Sequence, residues 1–281
     1  MPGTPSSSAQ NPSGSAEALL DDILRRQARI FAQEYAALRH GSDDPEHPHK
    51  ARVALRRLRA ALSGFGPILD DRAARRLSRR ARALFRMLGP LRDADVAARS
   101  FAKGDARQEM QARADRIRDE TRKNLAAARA DELESVVERA LEARSLIASR
   151  HGPLRLARAD ASLLGAQALQ IAWTAARAYG PHLSDWDDFT RHEFRKDIKT
   201  LRYITEFFGE IWTGQARGTF LARLTRLQDA LGELNDIAVH FSDREPDAKI
   251  RRRFDKAMTA ADTHWEVLRK LGSWWGARPT G

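Results

Sequence analysis

The stretch His49-Lys50-Ala51-Arg52-Val53-Ala54-Leu55-Arg56-Arg57-Leu58-Arg59 returns 143 residues later as His192-Glu193-Phe194-Arg195-Lys196-Asp197-Ile198-Lys199-Thr200-Leu201-Arg202, with a histidine and three cations in the same four places. At about 100° per residue those places, the first, fourth, eighth and eleventh of the stretch, fall within an arc of roughly 80°. They run along about 15 Å of helix. Leu55, Leu58, Leu62 and Phe65 in the first copy, and Phe194, Ile198, Leu201 and Phe208 in the second, occupy the opposite arc. Each copy is therefore expected to pack one side and to hold a bare positive row on the other.

The repeat extends beyond this helix. Leu88-Gly89-Pro90-Leu91-Arg92-Asp93 and Leu231-Gly232-Glu233-Leu234-Asn235-Asp236 share the same offset of 143, so Leu, Gly, Leu and Asp recur in place. Two motifs at one offset indicate two similar halves. Ala, Leu, Arg and Glu are abundant, apolar spacings follow three and four, and no segment alternates with the period of a half-buried strand. The fold class is all-α. Gly and Pro punctuate the pattern, leaving helices near 17–40, 47–65, 70–99 and 105–150, then near 160–179, 186–211, 216–241 and 246–275. Two antiparallel four-helix bundles, 17–150 and 151–275, are the simplest packing. The Ser- and Pro-rich stretch 1–16 reads as a disordered tail. The highly charged 103–150 reads as a solvated helix with internal pairs such as Glu134, Glu138 and Glu142 with Arg139 and Arg144. Trp265, Trp274 and Trp275 read as packing residues.

The 281 residues carry 49 Lys and Arg against 38 Asp and Glu, a net charge of +11, which favours polyanionic partners without choosing among nucleic acid, anionic membrane and phosphate polymers. There is no cysteine, which excludes disulfides, thiol nucleophiles and thiolate metal sites. The N-terminal residues lack the charged and apolar regions of a signal peptide. The longest uncharged run, 161–176, is too short and polar to span a bilayer, so no membrane insertion is expected and a cytoplasmic location is consistent.

Like charges three or four apart on a helix repel by roughly 0.2–0.5 kcal/mol per pair, so the repeated rows call for a use other than helix stability. Arginine suits phosphate because its planar fork donates two hydrogen bonds to adjacent oxygens, while lysine acts as a mobile point charge. His49 and His192 can donate from either ring nitrogen and gain charge as pH falls. A further row, Arg75, Arg79, Arg82 and Arg86, lies opposite Leu77, Leu84 and Leu88 but is poorly repeated, only Arg223 falling in register with a basic residue there, Arg80. Arg25 and Arg29 flank it, and Tyr203 lies near the second cation arc. These are secondary candidate contacts. Asp93 and Asp236 read as structural partners of neighbouring cations. His40, Asp43, Asp44, Glu46, His47 and His49 lack regular metal-ligand spacing. No nucleotide-phosphate loop, metalloprotease motif, nucleophile elbow or dinucleotide fingerprint is present. No catalytic residues, cofactor or metal are assigned, and binding without turnover is the expectation.

At these residues the chain resembles the CHAD family, named for its conserved-histidine α-helical domain. The resemblance rests on His49-x-x-Arg52-x-x-x-Arg56-Arg57-Leu58-Arg59 with Leu91-Arg92-Asp93-x-Asp95. In the second half it rests on His192-x-x-Arg195-Lys196-x-x-Lys199-x-Leu201-Arg202-Tyr203 with Leu227-Gln228-x-x-Leu231-Gly232-x-x-Asn235-Asp236. It covers about residues 17–275. It implies paired four-helix bundles related by a pseudo-two-fold axis, with a central basic groove for inorganic polyphosphate. The implied contacts are His49, Arg52, Arg56, Arg57 and Arg59, with His192, Arg195, Lys196, Lys199 and Arg202. Arg57 departs from symmetry, since its counterpart is Thr200. Members often accompany a triphosphate-processing domain whose ExExK signature is missing here, so the resemblance implies a stand-alone binder, associated with polyphosphate granules in the cytoplasm. The alternative is a nucleic-acid-binding protein that uses the same cations on a DNA or RNA backbone.

Overall fold

The computed structural model describes residues 14–100, 105–212, 215–240 and 247–276. Among the described residues, regular structure is helical, with isolated bridge residues such as the antiparallel pair Leu69 and Ile147. The all-α reading therefore holds. The chain divides into two compact units, one holding Ser15–Ala159 and the other beginning at Asp160.

The first unit contains α1 (Ala16–Arg39), α2 (Glu46–Gly64), α3 (Asp71–Met87), α4 (Gly89–Ser100), α5 (Asp105–Ala127), α6 (Leu133–Glu142) and α7 (His151–Arg158). Of the expected tail 1–16, residues 1–13 lie outside the described residues. Ser15 accepts a hydrogen bond from the Ala18 N–H and so caps α1. The first two helices match their expected spans, but the third and fourth are each divided. Pro90 has no N–H for the carbonyl of Arg86, so the chain leaves one helix and re-enters another with proline in its first turn. After α5, Arg129 adopts a left-handed φ of 52°, and after α6 Arg144 adopts 49°, which a continuous helix cannot accommodate. The expected boundary after residue 150 moves to Ala159 because α7 packs on α1 and on the turn Gly66–Ile68. Hydrogen bonds from Asp70 N to Leu146 O (2.8 Å) and from Ala148 N to Ile68 O (3.0 Å) tie the intervening segment to the same turn.

Apolar residues at helical spacing meet in this unit's core. Leu20, Leu24 and Phe31 of α1 and Leu55 and Leu58 of α2 are fully buried, joined by Leu77 and Leu84 of α3. Each such side chain contributes on the order of 1.5–3 kcal/mol relative to exposure. The charged 105–142 region pairs within itself, as Arg118 with Asp115 and Arg122 with Asp119, and also across helices. Glu138 accepts from Arg25 at 2.9 Å, Glu134 lies 3.9 Å from Arg29, and Glu17 holds Arg144 at 2.6 Å.

The second unit has four helices, α8 (Ala161–Arg177), α9 (Asp188–Phe208), α10 (Gln215–His240) and α11 (Ala248–Lys270). All four fall within a few residues of their expected spans. Asp160, Asp187 and Asp247 cap α8, α9 and α11 with their side chains. The core is aromatic: Trp173, Phe194, Phe220, Trp265, Trp274 and Trp275 are buried in edge-to-face contacts with ring centroids 4.9–6.3 Å apart. The Trp265 indole donates to Gly180 O at 2.9 Å. Gly165 lets α8 approach α9, because a Cβ there would stand 2.7 Å from the Phe208 ring.

Candidate functional site

The first basic row sits on α2. Asp44 Oδ1 accepts from the Glu46 N–H at 2.9 Å and starts the helix. Ala51, Ala54, Leu55, Leu58, Ala61 and Leu62 then bury one side. His49, Arg52, Arg56, Arg57 and Arg59 are left half-exposed on the other. Arg52 stacks over Phe85 with its Cζ 4.1 Å from the ring centroid and donates from Nη1 to Phe85 O at 3.4 Å. Arg56 reaches the same ring at 5.4 Å. The aromatic face pre-orients both guanidinium groups without neutralising them. Gly89 makes room for this arrangement, since a Cβ would stand 3.0 Å from Arg52 Nη1.

Among the described residues, no carboxylate forms an ion pair with Arg52, Arg56, Arg59 or Arg92. The Arg59 Nε and Arg92 Nη1 atoms are buried without a hydrogen-bond acceptor. A buried donor without an acceptor costs roughly 1–3 kcal/mol. Burial pushes the Arg52 and Arg59 guanidinium pKa values below the usual arginine range; Arg56 and Arg92 add to this at Arg52, where Asp93 opposes it, and Arg82 and Arg56 add to it at Arg59. Burial also pushes the His49 imidazole below its ordinary value, with Arg92, Arg56 and Arg52 adding to the effect and Glu46 opposing it. These influences place His49, three α2 arginines, Arg82 of α3 and Arg92 of α4 in one cationic field within the first unit.

On α3, Leu77, Ala81 and Leu84 are buried while Arg75, Arg79, Arg82 and Arg86 are exposed. Arg75 lies 3.7 Å from Asp71, and among the described residues Arg79, Arg82 and Arg86 have no ion pair. Arg80 is held by Arg129 O at 2.9 Å and by Glu132 at 3.5 Å. Arg25 and Arg29, expected as flanking contacts, are engaged by Glu138 and Glu134, and Arg25 also by Asp21 at 3.8 Å. They tie α1 to α6.

The second row, on α9, is built differently. Asp187 caps the helix by accepting from Thr190 N at 2.7 Å, and Phe194, Ile198, Leu201 and Phe208 are fully buried. His192 Nδ1 lies 3.2 Å from Asn235 Oδ1. Lys196 pairs with Glu193 at 2.5 Å. Arg202 donates to Glu206 at 2.7 Å and to Gln228 Oε1 at 2.5 Å. Arg195 and Lys199 are half-buried. Tyr203, expected near the cation arc, is only 5% exposed and packs beside Phe207, because its position turns toward the core. Arg223 is half-buried near His264, whose pKa is lowered by burial and by Arg223 and Arg226.

Two features escaped the reading by helical rows. Arg92 contributes to the field from α4, where no row of its own marks it; its place in the Leu91-Arg92-Asp93 motif was the available signal. Asp93, expected to brace a cation, is exposed, and among the described residues it acts on Arg52 through its charge without forming an ion pair. The bracing falls instead to Asp95, which accepts from Arg118 at 2.7 Å with both side chains at most 3% exposed. The His- and acid-rich 40–49 segment is also committed to structure: His47 Nδ1 lies 2.6 Å from Glu34 Oε2, and Asp43 accepts from Arg122 at 3.2 Å. No helix of the described residues is long and apolar enough to cross a membrane.

A family model described as the CHAD domain matches residues 22–240. Among solved structures, the chain is similar to the CHAD domain from the plant Ricinus communis, at 21% identity over 99% of this chain and 97% of that one, with a TM-score of 0.65. It is also similar to PptA from Streptomyces chartreusis, at 18% identity over 90% of this chain and 100% of that one, with a TM-score of 0.50. At these identities the likeness is one of fold. No curated protein matches the sequence.

Proposed function

The chain belongs to the CHAD domain family, and on that basis we propose that it binds inorganic polyphosphate without turning it over, chiefly through the cationic field of its first unit. The observation that carries this reading is the set Arg52, Arg56, Arg59 and Arg92, which has no carboxylate partner among the described residues and includes two buried N–H donors without acceptors. Arginine forks at successive helical turns suit a repeating anion, each taking adjacent oxygens of one phosphate by charge-assisted hydrogen bonds. The α9 row contributes Arg195 and Lys199 on the second unit. A binder of this kind would gather at polyphosphate granules in the cytoplasm.

Nucleic acid is the weaker partner. Single strands are held by successive aromatic platforms among the cations, whereas the ring in the first unit's field, Phe85, is taken up by Arg52 and Arg56, and Tyr203 is buried. The test is an affinity measurement for long-chain polyphosphate at one salt concentration, with duplex and single-stranded DNA alongside. Arg52→Ala combined with Arg195→Ala should weaken polyphosphate binding by at least about tenfold, the loss expected for removing a charge-assisted contact. Unchanged affinity, or DNA binding as tightly as polyphosphate, would reject the proposal. Chain shortening on incubation of the protein with polyphosphate and Mg²⁺ would reject the absence of turnover.

A further inference from the structure

The second unit contains a cavity of about 570 Å³ between α9, α10 and α11, with Phe189, Phe254, Leu231 and Leu234 along its apolar wall and His192 and Arg195 on its polar side. The geometry points to a second ligand site here, one that takes a nucleoside polyphosphate with its base against the apolar wall and its phosphates at Arg195. This inference shares Arg195 with the proposed polyphosphate contacts but does not rest on the cationic field of the first unit. A phosphate chain alone has no apolar surface to bury, whereas this cavity lies within the usual size range of small-molecule sites and has their mixture of apolar wall and few polar groups.

Three details favour a flat, hydrogen-bonding ring attached to an anion. Phe189 is a large aromatic residue left 71% exposed in the first turn of α9, at the cavity wall, and an aromatic face of this kind stacks any nucleobase. His192 Nδ1 lies 3.2 Å from Asn235 Oδ1, leaving Nε2 as the ring's other hydrogen-bonding nitrogen. The Asn235 amide N–H groups have no acceptor among the described residues. The wall thus offers amide donors and a ring nitrogen, groups that pair with a base edge. Asp188, the carboxylate that lines the cavity, is paired with Arg191 at 2.5 Å, which offsets its repulsion of a phosphate.

The repeat explains how the space arose. At the offset of 143, Ala238 and Ala261 occupy the positions of Asp95 and Arg118, the buried ion pair of the first unit. Phe189 and Phe254 stand where the first unit has Glu46 and Gln111, and Asn235 stands where it has Arg92. The second unit thus has small and aromatic side chains where the first has a charged plug, and Ala238 lines the resulting cavity.

The test is calorimetric titration of the full chain with ATP and with methyl triphosphate, which carries a similar charge but no base, in the absence of Mg²⁺ and at fixed salt. ATP should bind about tenfold or more tightly, as stacking of one base allows. Phe189→Ser, at an exposed position that leaves the core untouched, and Ala238→Phe, which fills the cavity, should each bring ATP down to the affinity of methyl triphosphate. Equal affinities in the wild-type protein, or an ATP preference that survives Phe189→Ser, would overturn the assignment. Long-chain polyphosphate titrated into the same variants separates the two proposals: its affinity should persist in both, because neither substitution touches the α2 field.

Discussion

The two basic helices carry the same number of cations and opposite amounts of compensation. Helix α2 has five Lys and Arg against the single carboxylate Glu46, whereas α9 has five against Asp188, Glu193, Asp197 and Glu206. The difference is spatial as well as numerical. Arg202 and Lys196 each meet a glutamate one turn away, while Arg52 and Arg56 meet the face of Phe85. A repeated sequence has therefore kept its row of cations in both units but left them available for an outside anion mainly in the first. The second unit diverged toward an aromatic core and an apolar cavity.

The largest expected effect concerns the buried Asp95–Arg118 pair of the first unit, which has no buried counterpart among the described residues of the second. Asp95→Ala should cost about 1–3 kcal/mol in urea denaturation, because the buried Arg118 Nη2 would lose its acceptor while Nη1 keeps Asp115 at 2.7 Å. Converting both partners, Asp95→Ala with Arg118→Met, should recover much of that loss, since a well-packed apolar replacement of a buried pair is often tolerated. Ala238 and Ala261 in the second unit are the natural precedent. A loss under about 1 kcal/mol for Asp95→Ala, the range of a surface pair, would remove the distinction.

Next in size is the contrast between single cations. Arg52→Ala should weaken polyphosphate binding about tenfold, and Lys196→Ala less than about threefold, because Lys196 already spends its charge on an exposed glutamate. The motif glycines supply a smaller contrast. Gly89→Ala should displace the Arg52 guanidinium and lower affinity by a few-fold, whereas Gly232→Ala meets open space and should stabilise α10 by up to about 0.5–1 kcal/mol. Thermal melts and titrations on both variants check the pair.

The smallest effect is that of His49. Its pKa is lowered in the folded protein, so between that value and the unfolded 6.5 the unfolded chain binds more protons. The contribution is complete above about pH 6.5 and lost as pH falls through that window. Melts from pH 7.5 to 5 should show a gentler acid decline in His49→Gln than in the wild type. Bound polyphosphate should reverse the sign at this site, since an anion beside the ring favours the imidazolium.

The class of fold and all four helices of the second unit were legible because their apolar positions recur at three and four and Gly and Pro punctuate the pattern between them. The first unit was harder. Its divisions at Gly89-Pro90, Arg129 and Arg144 depend on a missing N–H and on two left-handed arginines, and arginine carries no local signal for that conformation. The cation rows were visible from spacing alone. Their compensation was not, because a glutamate at i+4 and a glutamine from a neighbouring helix look alike in a list of polar positions until the side chains are placed. Tyr203 shows the same limit: its angle is near the row, yet the neighbouring helices cover it.

The decisive measurement is the polyphosphate affinity of two triple variants at one salt concentration: Arg52, Arg56 and Arg59 all changed to alanine, against Lys196, Lys199 and Arg202 all changed to alanine. The first should lose about 100-fold or more, as two or more charge-assisted contacts would, and the second less than about fivefold, because Lys196 and Arg202 already meet glutamates and the loss falls on Lys199 alone. Equal losses, or a larger loss in the second variant, would contradict the assignment of binding to the uncompensated field of the first unit.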